Sequence, residues 1–380
     1  MNNKTILYNL NTFPVIGNTV PLVNKMSYWQ KSGYSVTVFG SRALIGKIKK
    51  EKFLLPFKAI EIVGKSESNN KIRFMIECLR RNLISLSYLK KIEERKFAVV
   101  YTISSVLDLV FIPFLLKVRK NKFLWLTVFD NTVPFTGAGN KLIRFLNWFF
   151  FSISIRLIKK ADRVFAPSGN VRSYLESRHF PAQKIIPTCG GIEVDLIKKA
   201  KKMKGIKIDA LYIGRINEAK GIYELLNVLA LVKKKIPNFQ LAIMGNGEET
   251  TVIKFKDRIQ KMGLSDNVFF LGYKEGQEKF DIIKSSKSFW FFSEAEGFPQ
   301  VIMEAVSSGL RCFVYCLPAY DYYKNNELII FKQKDYKSVA KAVIALFNKK
   351  DFENKAGAAL LMDFSWKRIA KLELESIINR

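Results

Sequence analysis

Histidine occurs once in this chain of 380 residues, as His179. Its scarcity excludes metal sites built from several histidines and most machinery that relays protons through imidazole. Cysteine is nearly as rare. Cys78, Cys189, Cys312 and Cys316 are too few for a disulfide scaffold and fit a reducing compartment. Long hydrophobic runs are missing as well. The best candidate, 142–158, is interrupted by Arg144 and Arg156, which leaves an uncharged centre at 145–155. A spanning helix needs about 20 apolar residues, so this segment is expected to be buried or to lie in an interface. Met1-Asn2-Asn3-Lys4 leads straight into a strand-like run, with no signal-peptide stretch expected. Acidic residues are the last shortage: 33 against 63 basic ones, a formal net charge of +30.

What the chain does have is core material. Apolar residues make up 48% and prolines number only 11, so wholesale disorder is excluded. The length suggests two domains of ordinary size. The charge is uneven, with 31 basic and 12 acidic groups in 1–195 and 32 and 21 in 196–380. Such a field favours a polyanionic surface, either an anionic membrane leaflet or nucleic acid.

Short apolar runs alternate with helical ones along the whole chain. In the first half, strands are expected at 5–10, 34–39, 97–102 and 123–128, with a helix over roughly 19–32. In the second half they are expected at 209–213, 239–244, 267–271, 288–292 and 311–315. Helices are expected at about 220–235, 250–262, 277–285 and 299–308. This rhythm argues for an α/β chain of two doubly wound parallel sheets, with ligands taken at the carboxyl ends of the strands. The charged, non-periodic stretch 196–207 places a boundary near 190.

The residues just after the strands of the second half carry the chemistry. Gly214-Arg215 closes one strand and Lys220-Gly221 opens the next helix. A glycine for close approach, an arginine fork, a lysine point charge and a helix N-terminus form a plausible diphosphate cradle. Gly245-Asn246-Gly247 is a second place where backbone could approach a ligand. It lacks the terminal Gly-Lys-Ser/Thr of a P-loop, which disfavours a Walker-type nucleotidase. In Ser293-Glu294-Ala295-Glu296-Gly297-Phe298-Pro299-Gln300, Glu296 falls in a loop, with Pro299 suited to the first helical position. Glu304 follows inside the helix among Val301, Ile302, Met303, Ala305 and Val306. An acid placed there needs a partner, and its two acceptor oxygens suit a vicinal diol.

Together these motifs resemble family four of the retaining, nucleotide-sugar-dependent glycosyltransferases. The likeness extends to Phe270-Leu271-Gly272-Tyr273, Ala161-Asp162-Arg163-Val164-Phe165-Ala166-Pro167-Ser168 and Phe364-Ser365-Trp366. It implies a GT-B fold, two Rossmann-like domains facing a cleft. The expected division is an acceptor-binding domain at 1–190, a nucleotide-sugar-binding domain at 191–363, and a helix at 364–380 returning to the first domain. By resemblance, Arg215 and Lys220 bind the donor diphosphate and offset charge on the departing nucleotide. Glu304 holds the ribose, while Glu296 and the amides around Gly297, Phe298 and Pro299 position the transferred sugar. Gly214 and Gly245 line the donor site, Tyr273 packs on the base, and Gly17 approaches the phosphates from the first domain.

The resemblance implies no resident cofactor or metal, and the sequence contains no Asp-x-Asp pair. Where relatives carry a histidine near the sugar, this chain has Phe129, followed by Asp130, which becomes the candidate contact to acceptor or sugar. His179, in a polar loop, is expected at the surface. The basic, aromatic and leucine-rich stretches 72–96, 114–123 and 141–160 suit an anionic leaflet. The expected acceptor is therefore lipid-linked or a glycan, used by a cytoplasmic enzyme peripheral on the inner face of the membrane. Nucleic acid is not the expected partner. A catalytically silent scaffold subunit and a basic nucleic-acid-binding protein are the alternative readings.

Overall fold

The computed structural model describes residues 4–10, 20–50, 54–62, 71–119, 122–130, 132–133, 141–188, 190–320, 323, 328–349, 352–355 and 357–378. The chain forms two compact units, Met1–Gly190 with Trp366–Arg380, and Gly191–Ser365. Each is built on one parallel sheet.

The first sheet comprises β1 (Thr5–Leu10), β2 (Ser35–Ser41), β3 (Lys58–Ile62), β4 (Val99–Thr102), β5 (Leu124–Val128), β6 (Arg163–Ala166) and β7 (Ile185–Pro187), in the order β3-β2-β1-β4-β5-β6-β7. Every pairing is parallel. Its central strands read as continuous apolar runs because helices cover both faces: all four residues of β4 are buried. One face packs Leu7, Phe39, Val100 and Trp125. The other packs Ile6, Tyr8, Trp29 and Tyr101, with Trp29 edge-on to both tyrosine rings.

The second sheet comprises β8 (Ala210–Ile213), β9 (Leu241–Met244), β10 (Val268–Gly272), β11 (Ser288–Phe291), β12 (Arg311–Tyr315) and β13 (Leu328–Phe331), in the order β10-β9-β8-β11-β12-β13. It too is wholly parallel. In both units the order turns at the centre, on either side of β1 and of β8. Loops leaving there diverge at the carboxyl edge and open a place for a ligand.

The expected strands form within two residues of their anticipated bounds. Four others, β3, β6, β7 and β13, were not among them. They are three to five residues long, and three of them, β3, β7 and β13, are edge strands that carry exposed residues in place of a continuous apolar run. The stretch 196–207 is also more ordered than its composition suggests. Val194–Lys199 is helical, and Lys201 and Met203 donate backbone N–H groups to Asp281 Oδ1 (2.9 Å) and Ser285 Oγ (2.8 Å). Side chains of the helix Gly276–Ser285 thus satisfy a segment that has no apolar face of its own.

The chain returns to the first unit at Trp366. Phe364 stays with the second, its carbonyl accepting from Ile192 N at 2.8 Å. The helix Trp366–Ile378 packs on the helix Val20–Lys31 through a buried polar cluster. Lys25 Nζ lies 2.6 Å from Glu373 Oε1 and donates to the Tyr101 hydroxyl at 2.9 Å, which itself donates to Glu373 Oε2 at 2.9 Å. Burial and the Glu373 charge push the Tyr101 phenol well up, so it stays a donor. Among the described residues no helix is long and apolar enough to cross a membrane.

Removing one partner of a buried pair strands the other without compensation. Lys25→Met is therefore expected to cost the first unit about 3–5 kcal/mol, read as a lower denaturant midpoint, with earlier proteolytic cleavage around 366–378.

Candidate functional site

The second unit assembles its polar residues where β8, β9, β10 and β11 end. Two loop crossings set the geometry. Gly214 N donates to Met244 O at 3.0 Å and Ile216 N to Asn246 O at 2.9 Å, so the loops after β8 and β9 run locked together. Gly245 makes this possible: its φ is +143°, and a Cβ there would lie 1.9 Å from the Gly214 carbonyl oxygen. Gly245 N also donates to Gly272 O at 2.8 Å, which fixes the loop after β10.

The second crossing joins the turn Glu218–Lys220 to the loop after β11. Asn217 Oδ1 caps that turn by accepting from Ala219 N at 2.9 Å. The Ala219 carbonyl then accepts from Glu294 N and Ser293 Oγ, both at 3.1 Å. Gly221, at φ +74°, follows immediately, where a Cβ would meet the Phe292 carbonyl oxygen at 2.1 Å. These constraints bring Lys220 Nζ within 2.6 Å of Glu296 Oε1, although 76 positions separate them. Both side chains are largely buried. Arg215 is exposed at the same edge, and its carbonyl accepts from the buried Tyr212 hydroxyl at 2.8 Å. Burial and then the Glu296 charge raise the Tyr212 phenol, Arg215 partly opposing them.

Gly297 and Pro299 are buried, and Phe298 is half-buried. The helix begins at Gln300, not at Pro299, which serves as its cap residue. Proline fixes its own φ but has no N–H, so it fits the cap as readily as the first turn. Glu304 is 2% exposed. The partner it requires is Lys279, whose Nζ lies 2.5 Å from Oε2. Gln300 Nε2 makes a long 3.4 Å contact with Oε1. Tyr273 is exposed, donates to Glu275 Oε2 at 3.0 Å, and has its phenol pushed up to about 12. Burial contributes most to that shift, then the Glu275 bond and charge, then the charge of Glu304.

The anticipated residues Gly214, Arg215, Lys220, Gly245, Tyr273, Glu296, Gly297, Phe298, Pro299 and Glu304 therefore all lie on the loops or within the first two helical turns at one edge of the second sheet. Lys279, Tyr212 and Tyr320 were not anticipated. Tyr320 is buried, and its phenol is raised first by burial and then by the Glu296 charge. The sequence signal for Lys279 was indirect, the requirement that Glu304 have a cation. Nothing in the spacing says which of 63 basic residues supplies it.

Asp130 follows β5 in the first unit, where Oδ1 accepts from Ser104 Oγ at 2.8 Å. Gly17 lies outside the described residues. Phe129 is fully buried against Phe151 (5.9 Å between ring centroids) and Tyr174 (5.8 Å, stacked), so this position supplies a core side chain. His179 is exposed after the helix Gly169–Ser177, at φ +60°. Among the described residues no group of three or more His, Cys, Asp or Glu side chains could hold a metal ion.

Four likenesses join this geometry to known proteins. Residues 193–359 match the family Glycosyl transferases group 1. An uncharacterised glycosyltransferase of Methanocaldococcus jannaschii is 29% identical over 287 residues, which is 70% of this chain and 64% of that protein. The capsular polysaccharide biosynthesis glycosyltransferase CapH of Staphylococcus aureus is 27% identical over 156 residues, 40% of this chain and 43% of CapH. The chain thus spans less than two thirds of either relative's length. HepE of Anabaena, solved with UDP-glucose, shares the fold at a TM-score of 0.77 and 12% identity, covering 99% of this chain and all of that one.

The Gly245 crossing has a direct test. Gly245→Ala forces a backbone clash on top of left-handed strain of about 1–3 kcal/mol, and is expected to destabilise the second unit by more than that. Gly263→Ala is the control: its φ is +63°, but nothing lies within 4 Å of its Cβ position. Comparing the two denaturation midpoints separates the clash from the strain.

Proposed function

We propose, from the match of residues 193–359 to the group 1 glycosyl transferases, that the chain moves a sugar from a nucleotide diphospho-sugar to a lipid-linked or polysaccharide acceptor, with retention and without a metal. The observation that carries this reading is the Lys220–Glu296 contact, a cation suited to a diphosphate touching a carboxylate suited to sugar hydroxyls. With no donor bound each satisfies the other. A bound diphosphate draws Lys220 onto its oxygens beside Arg215 and releases Glu296 to accept from the sugar. The helix Ile222–Lys233 presents its free N–H end to the same place.

As the bond from the anomeric carbon to the phosphate oxygen breaks, negative charge grows on the leaving diphosphate. Arg215, Lys220 and the helix N-terminus are already placed to offset it. The acceptor oxygen forms its bond to the same face of the sugar, and its proton passes to a donor phosphate oxygen. Asp130 is assigned to the acceptor side. The scaffold and nucleic-acid readings are not favoured by the likeness to glycosyltransferases.

The first unit supports a lipid-linked acceptor at an anionic leaflet, on the cytoplasmic face. The helix Lys71–Leu86 exposes Ile76, Leu79, Leu83 and Leu86, and the helix Lys141–Ile158 exposes Leu142, Phe145 and Phe149. Both helices pack on the helix Leu107–Val118 between them. Glu77 is the single acidic residue on the two outer helices, against seven basic ones. Arg80 pairs with Glu77 and Arg81 with the buried Asp108, and apolar side chains beside the remaining excess of cations match the chemistry of acidic headgroups over acyl chains.

Lys220→Ala and Glu304→Ala are expected to abolish donor-dependent transfer in a folded protein, and turnover retained in either would overturn the site assignment. Thermal shifts with UDP-, GDP- and ADP-sugars identify the donor, because a bound ligand stabilises by mass action. Product anomers read by NMR test retention, and activity after exhaustive chelation tests independence of metal. For the acceptor side, the chain is expected to float with phosphatidylglycerol vesicles and less so at high salt. Phe145→Ser with Phe149→Ser should weaken that binding without changing the secondary structure. Equal flotation of the double variant would remove these helices from the reading.

A further inference from the structure

Glu304 is buried in a helix whose neighbours on either side, Met303 and Ala305, are fully buried apolar residues. A carboxylate in such surroundings persists only where a cation and donors compensate it. Lys279 is that cation. It reaches across from the helix Gly276–Ser285, its side chain 15% exposed and its Nζ 2.5 Å from Oε2. The contact distinguishes the two oxygens of Glu304. Oε2 is engaged by an ammonium group, while Oε1 has only the long 3.4 Å approach of Gln300 Nε2. Tyr273 is exposed nearby, close enough for its phenol to feel the Glu304 charge.

We infer that Lys279 is the positioning residue of a nucleoside subsite, holding Glu304 so that it accepts from the vicinal hydroxyls of a ribose and rejects 2′-deoxyribose. This rests on the donor reading above and adds to it the residue that makes the ribose contact selective. The ammonium fixes the carboxylate's rotation and compensates its charge. Oε2, itself buried, is turned to the ammonium, which leaves Oε1 to meet hydroxyl donors, for which an ionised carboxylate offers only acceptors. A deoxyribose leaves one of those acceptors buried and unmatched, which is the situation that binding sites discriminate against most strongly. Without Lys279 the carboxylate loses its fixed orientation, and the loss falls on the ribose rather than on the phosphates held at Arg215 and Lys220.

The test is calorimetric binding of UDP, GDP and ADP, and of their 2′-deoxy counterparts, to the full chain and to Lys279→Met, Lys279→Arg and Glu304→Gln. The unaltered protein is expected to bind one ribonucleotide roughly 10- to 100-fold more tightly than its deoxy form, as one charge-assisted hydrogen bond allows. Lys279→Met should lose roughly that factor for the ribonucleotide and little for the deoxynucleotide, so that discrimination collapses. Lys279→Arg should restore most of it, and a purely structural lysine would not show this selective pattern. Circular dichroism confirms folding, and Lys279→Gln replaces the methionine variant if that one fails to fold. A folded Lys279 variant that keeps full discrimination overturns the inference while leaving the donor reading in place. An unaltered protein that binds none of the three nucleotides overturns both.

Discussion

Burying a carboxylate costs several kcal/mol unless a cation comes with it, and four of the pairings that result among the described residues organise this chain. Glu373 with Lys25, Asp108 with Arg81, Glu296 with Lys220 and Glu304 with Lys279 each join segments distant in sequence. Hydrophobic burial holds the sheets and helices together but is tolerant of small slides. A buried ion pair is not, because a shift of an ångström or two leaves two charges unsolvated and unmatched. The first two pairs fix how helices pack in the first unit. The other two lie at the edge of the second sheet, where exposure is greater around Lys220 than around Glu304. That gradient leaves Lys220 and Glu296 nearer to solvent than Lys279 and Glu304.

The parallel sheet decides where such pairs can form. All strands of one unit end at the same edge, so residues that follow different strands become neighbours whatever their separation along the chain. The backbone crossings at Gly245 and Gly221 tighten that gathering to contact distance, and neither tolerates a Cβ without displacing a carbonyl. Local steric permission and long-range charge matching therefore act on the same few loops.

Much of this was legible in advance. Alternating apolar runs disclosed the parallel sheets, and Gly214-Arg215, Lys220-Gly221 and the Glu296 to Glu304 segment marked residues that folding gathers at one edge of the second sheet. What could not be read were contacts made by folding rather than by spacing. Lys279 stands 25 positions from Glu304 on another helix, in a run that looks like any solvated lysine. Phe129 stands where relatives carry a histidine near the sugar, and its ring is stacked on Tyr174 inside the first unit. Burial on one side of a strand end, which no sequence period marks, made that difference. The edge strands β3, β7 and β13 stayed hidden because they carry exposed residues, whereas the equally short β4, β8, β9 and β11 are buried throughout and show as apolar runs.

The return of the final helix to the first unit has a consequence for the order in which the molecule is made. The second unit is a continuous stretch, Gly191–Ser365, set inside a first unit that is split in sequence. As the chain is synthesised from its amino end, the inserted unit has all its residues in hand while the first still lacks Glu373. Until then the ammonium of Lys25 has no carboxylate to meet, and the face presented by Trp29 and Tyr101 stays open. The half translated first is thus the half completed last.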